Sequence, residues 1–190
     1  PGLVWGPYPQ RAVEDWREPR ARRMHSRRWA RAARAIAGAV TAGSEGPLAD
    51  GLALEERHLH RAAAALAETV GWEPRWQQVF AARAMLGQVL VEMATGEGKT
   101  YAVALAAAAA ALAGTPVHAV TSNDYLAQRD AARLQPFYAR LGLRCTFVTE
   151  MMDADARRRA YAGDVTYCTA RELGFDFLRD GLLAPRSASA

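Results

Sequence analysis

Apolar positions along the chain change rhythm near its middle. Leu52, Leu54, Leu59, Ala62, Ala63, Leu66 and Val70 form a stripe at helical spacing, which predicts a helix over Leu52–Val70. Gly71 follows it in the C-cap position. A shorter helix, Trp76–Leu86, comes after Pro74. Beyond it the apolar residues gather into short β-branched runs. These predict strands at Val89–Met93, Val117–Thr121, Arg144–Val148 and Val165–Thr169. Helices are expected between and after them: Lys99–Ala113, Asp124–Leu141 with a kink near Pro136, Asp153–Ala162 and Arg171–Arg179. Strands alternating with helices imply an α/β fold, a parallel sheet with helices on both faces. Upstream, residues 1–19 carry Pro1, Pro7, Pro9 and Pro19 and read as irregular. Arg20–Val40 reads as a basic helix and Thr41–Gly51 as a loop. The expected organisation is a mainly helical segment over 1–70, an α/β domain over 71–183 and a disordered tail over 184–190.

Composition narrows the classes. Of 190 residues, 51% are hydrophobic, ordinary for a chain that builds a core. The longest apolar stretch, Tyr101–Ala113, is mostly alanine and falls short of the roughly 18 residues a membrane span needs. The start, Pro1-Gly2-Leu3, has no initiator Met and no charged-then-apolar leader, so it reads as a fragment or processed product. Cys145 and Cys168 lie in expected strands without metal-ligand spacing and read as buried thiols. His58 and His60, two apart on a helix, point in different directions and suggest no metal site.

Charge is uneven. Residues 1–34 hold nine arginines against Glu14, Asp15 and Glu18, a local +6, so the rest carries −2 of the net +4. The chain contains one lysine among 24 basic residues, Lys99. A site that keeps lysine where arginine serves everywhere else needs a compact ammonium on a thin stem.

That lysine lies in Met93-Ala94-Thr95-Gly96-Glu97-Gly98-Lys99-Thr100, between an expected strand and an expected helix. Glycines there let the backbone wrap so that several N–H groups face a phosphate, and the helix adds its positive end. Lys99 is placed for the β/γ-phosphates of ATP and the Thr100 hydroxyl for Mg²⁺. The pattern G-x-x-x-x-G-K-[ST] fails at its first position, which is Met93, while Gly96, Gly98, Lys99 and Thr100 keep the essential chemistry. The plainer alternative is a glycine-rich turn with an exposed lysine.

With Glu92 before it, this loop resembles the phosphate loop of SecA, the preprotein-translocase ATPase family. The run Val117-His118-Ala119-Val120-Thr121-Ser122-Asn123-Asp124-Tyr125-Leu126-Ala127-Gln128-Arg129-Asp130 is similar to the stretch after the family's second motor strand. So are Ala160–Tyr167 and Leu173–Asp180, and the similarity covers roughly 75–182. The resemblance implies a partial P-loop NTPase of the RecA-like, helicase type, the first DEAD-like motor domain, ending before the acidic pair that serves Mg²⁺ and water. It implies that Gln78, 21 residues before Lys99, reads adenine, a task suited to a carboxamide's donor and acceptor. It places Thr95, Gly96, Glu97 and Gly98 in the nucleotide loop, with Glu97 facing solvent. Arg129 matches a family arginine near the phosphates, against the plain reading of an exposed helix arginine. It implies a preprotein substrate, a SecYEG-type membrane channel, and a cytoplasmic location against the inner face of the membrane. The chain departs from the family at Ala94, where a basic residue is common, and at Cys168, Ala170 and Arg171. Those departures point to a divergent or accessory member. The 190 residues are expected to bind nucleotide weakly and turn over little of it.

Other classes stay open at this level: a nucleic-acid helicase, another P-loop ATPase, or a degenerate nucleotide-binding module. The Arg20–Arg34 cluster reads as a solvated helix face, an anionic-lipid contact or a phosphate-neutralising surface. No interleaved aromatic pattern supports nucleic acid, and a motor working at a membrane favours lipid.

Overall fold

A computed structural model describes Arg34, residues 54–87 and residues 90–183. The irregular stretch 1–19, the basic segment Arg20–Val40 apart from Arg34, the loop Thr41–Gly51 and the tail 184–190 lie outside the described residues, and with them most of the arginine cluster. Arg34 is helical and exposed, its guanidinium 5.3 Å from the Trp76 ring centroid.

The described order is α1 (Leu54–Val70), α2 (Trp76–Leu86), α3 (Lys99–Leu112), β1 (Val117–Thr121), α4 (Asp124–Arg140), β2 (Cys145–Phe147), α5 (Ala154–Tyr161), β3 (Val165–Thr169) and α6 (Ala170–Leu183). The three strands form one parallel sheet in the order β1-β3-β2, with Val117 opposite Val165 and Cys145 opposite the same residue. Helix starts follow side-chain chemistry. Asn123 accepts from the Leu126 amide at 2.8 Å and Asp153 from the Ala156 amide at 2.7 Å, each satisfying an orphan donor. Gly71, at φ +76°, closes α1 with its amide on Ala67 O. α4 runs as one helix through Pro136.

Alternation along β3 explains how the domain is layered. Val165 and Tyr167 face a core made by α1, α2, α3 and α4, including the fully buried Leu59, Leu66, Val79, Leu105 and Phe137. Cys168 faces the other side, against Val148, Ala160 and Tyr161. All five residues of β3 are buried, as expected of a central strand covered on both faces. Cys145 and Cys168 are both thiols. Among the described residues no helix is long and apolar enough to cross a membrane.

One expected strand, Val89–Met93, has no counterpart among the described residues. Leu90–Met93 has no regular structure, and Leu90 is 88% exposed. A strand exists by sharing backbone hydrogen bonds with a neighbour. The described sheet places none beside this segment, and β1 pairs only through the edge that faces β3.

Candidate functional site

The loop that follows turns on two glycines in the left-handed region, Gly96 at φ +88° and Gly98 at φ +80°. At Gly98 the backbone angle disfavours a side chain, and a Cβ there would sit 2.3 Å from Gln78 Nε2, so the carboxamide would have to move. Gly98 is also the N-cap of α3, with no side chain capping it. The Gly98, Lys99 and Thr100 amides have no main-chain acceptor among the described residues, whereas the Tyr101 and Ala102 amides already bond Gly98 O. A helix N-terminus with open amides and no acidic side chain in its first turn suits an anion.

Lys99 is exposed, and its ammonium donates to Ala94 O at 3.0 Å, folding back over its own loop. Lys99 and Thr100 line a cleft of about 140 Å³ together with Val103, Ala119, Val120, Thr121, Asp130 and Tyr167. The cleft thus lies between the start of α3 and the end of β1, beyond the carboxyl ends of parallel strands, the usual ligand side of such sheets. Tyr167 in its wall belongs to a buried pair, its hydroxyl 3.0 Å from that of Tyr138 behind it. Burial pushes both phenols above their ordinary range, so they stay neutral.

Gln78 is 3% exposed. Its Oε1 accepts from the Arg75 amide and its Nε2 donates to Glu97 O, each at 3.0 Å. The carboxamide therefore joins the first turn of α2 to the glycine-rich loop before α3. Glu97 turns its carboxylate outward to Arg75, 3.5 Å away. Thr95 and Gly96 are exposed at the loop's crest. Arg129 does not line the cleft; its Nε and Nη2 both donate to Asp130 Oδ1, and Asp130 does line it. The structure thus brings Lys99, Thr100 and Gly98 together, ties Gln78 to them through Glu97, and reaches Arg129 only through Asp130. No group of three or more His, Cys, Asp or Glu side chains suited to a metal occurs among the described residues.

Two acidic residues of the Leu173–Asp180 region and its approach serve the fold instead. Arg157 is buried, with Nη1 on Asp176 at 2.8 Å and Nη2 on Glu172 at 2.6 Å. Its nitrogens also donate to the carbonyls of Thr149, Glu150 and Met152, and Tyr161 donates to Asp176. This cluster fastens α5, α6 and the loop after β2 together. Sequence reasoning missed it, and it missed Asp130, which stands inside the quoted Thr121–Asp130 run without a role. The buried arginine has no local signal: Arg158 and Arg159 beside it look the same in sequence.

Known proteins give the same family from outside the structure. The family model described as the SecA DEAD-like domain matches residues 26–189. A protein translocase subunit SecA 2 of Mycolicibacterium smegmatis is 52% identical over 115 residues, 60% of this chain and 15% of that protein. A protein translocase subunit SecA of Mycobacterium avium is 50% identical over 113 residues, 60% of this chain and 14% of that protein. A SecA 2 subunit of Bordetella avium is 50% identical over 103 residues, 54% and 16% respectively. The matched segment is thus about one-seventh of these relatives' length. With most of its residues matched to the family model and half of the aligned positions identical to its members, the chain belongs to the SecA DEAD-like domain family.

Proposed function

We propose that this chain binds ATP through residues 94–100, as part of a translocase that couples ATP hydrolysis to moving polypeptide across a membrane. The observation that carries the reading is the start of α3: amides at Gly98, Lys99 and Thr100 with no main-chain acceptor among the described residues, the chain's one lysine, and an adjoining cleft. Incoming phosphates take the Lys99 ammonium from Ala94 O, a neutral acceptor that competes poorly with a phosphate oxygen. Thr100 lines the same cleft, and its hydroxyl would hold Mg²⁺, which commonly uses one or two protein ligands beside phosphate oxygens and water. Bound Mg²⁺ would neutralise charge building on the phosphates. Gln78 keeps one amide proton and one lone pair beyond its two bonds, enough for an adenine edge. Preprotein substrate, a SecYEG-type channel and peripheral attachment to the inner membrane face belong to the same proposal, supported by the relatives' names as translocase subunits. Anionic lipid is the proposed contact of the Arg20–Arg34 segment, tested by vesicle co-sedimentation.

The test is titration of a fluorescent N-methylanthraniloyl ATP into wild type and Lys99→Ala. Loss of the ammonium is expected to weaken binding at least about tenfold, the value of one charge-assisted contact. Superimposable curves would remove the reading.

A further inference from the structure

Inside the cleft stands a carboxylate that anion binding does not call for. Asp130 is 7% exposed and shares the wall with Lys99, Thr100 and Thr121. Its Oδ1 accepts from Arg129 Nε at 2.9 Å and Nη2 at 2.6 Å, and its Oδ2 has no hydrogen bond among the described residues. The pair is lopsided, with the carboxylate side chain 10% exposed and the guanidinium 43%. An exposed guanidinium can change partners at little cost because water covers it meanwhile. A buried carboxylate left alone cannot, and a second anion brought into its cavity adds repulsion in a medium that screens poorly.

We infer that Asp130 is a positioning residue that restrains Arg129: itself in the wall of the cleft, it keeps the guanidinium off the cleft lining and competes with nucleotide phosphates for it. Arg129 then reaches phosphate only by leaving Asp130, so the pair sets how tightly triphosphate is held. The sign of the effect follows. Neutralising Asp130 releases the arginine and removes a repulsion, and binding tightens. A residue that only supported the fold would leave affinity unchanged or lower it. This inference rests on the nucleotide site proposed above.

The test titrates N-methylanthraniloyl ATP, with Mg²⁺ and with EDTA, into the 190-residue chain and its variants, with circular dichroism confirming the fold. Asp130→Asn is expected to lower Kd about fivefold to tenfold in both conditions, and Arg129→Gln to raise it. In the Arg129→Gln background the Asp130→Asn gain is expected to shrink below about twofold, the coupling a double-mutant cycle reads. Asp130→Ser is a second neutral replacement with the same expectation. Unchanged or weaker binding in the neutral variants overturns the inference. Weakening confined to Mg²⁺ assigns the carboxylate to the cation and also overturns it. A full gain in the Arg129→Gln background reduces Asp130 to simple repulsion, again against the inference. Wild-type binding by Lys99→Ala is a different failure, which removes the nucleotide site itself.

Discussion

Two cationic side chains divide the molecule between them. Arg157, with its side chain 8% exposed, has every guanidinium nitrogen bonded: to two carboxylates and to three carbonyls. Among the described residues Lys99, itself exposed, bonds one carbonyl of its own loop, beside amides with no main-chain acceptor. Charge buried for architecture is saturated, because an unmatched polar group in a poorly screening interior is costly. The charge proposed here to meet a ligand, Lys99, is left under-bonded among the described residues, and its surroundings are kept open by glycine. The contrast separates the two roles more clearly than residue type does.

Breaking Arg157 has the largest expected effect. Arg157→Met strands Glu172 and Asp176 as buried carboxylates and is expected to cost about 3–5 kcal/mol, read as a large fall in thermal midpoint. Lys99→Ala, by contrast, is expected to shift stability by no more than about 0.5 kcal/mol while removing nucleotide binding. Equal melting losses in the two variants would erase the distinction.

Gly98→Ala tests the space around the loop. The new methyl meets Gln78 Nε2 and the backbone must hold φ +80°, so a loss of about 1–2 kcal/mol is expected in chemical denaturation, with weaker nucleotide binding. Retained affinity would show that the bend is not needed in this form.

The smallest effect concerns His118, on β1 with its ring 5.4 Å from that of Tyr161. Burial lowers its pKa below the ordinary 6.5, so the neutral ring is the form the fold favours. Its contribution is full above the unfolded value and is lost as pH falls through about 6.5 and below. Melting curves between pH 7.5 and 5 are expected to show this loss in wild type and less of it in His118→Phe. Identical slopes would exclude the ring as the source.

How far the sequence could be read depended on whether a signal was local. The helices carry their own periodicity and caps, so Asn123 and Asp153 start α4 and α5 within a residue of expectation. The loop was legible because a glycine pair and one lysine between a β-branched run and a helix is a local pattern. Leu90–Met93 has the composition of a strand, but pairing is a property of two segments, and composition describes one. Asp130 and Arg157 were opaque for the same reason. Arg157 takes its role from Glu172 and Asp176, 15 and 19 residues away, and Asp130, though bonded to the adjacent Arg129, takes its place in the cleft from Lys99 and Thr100, 31 and 30 residues upstream.

The isolation of Lys99 in a chain otherwise furnished with arginine has a chemical corollary. Acylating reagents attack primary amines and spare guanidinium. Across 190 residues they meet one such side chain, held at the surface by a lone carbonyl contact. Within these 190 residues Lys99 is the one side-chain address for that chemistry, and occupancy of its loop can be followed by whether the reagent arrives.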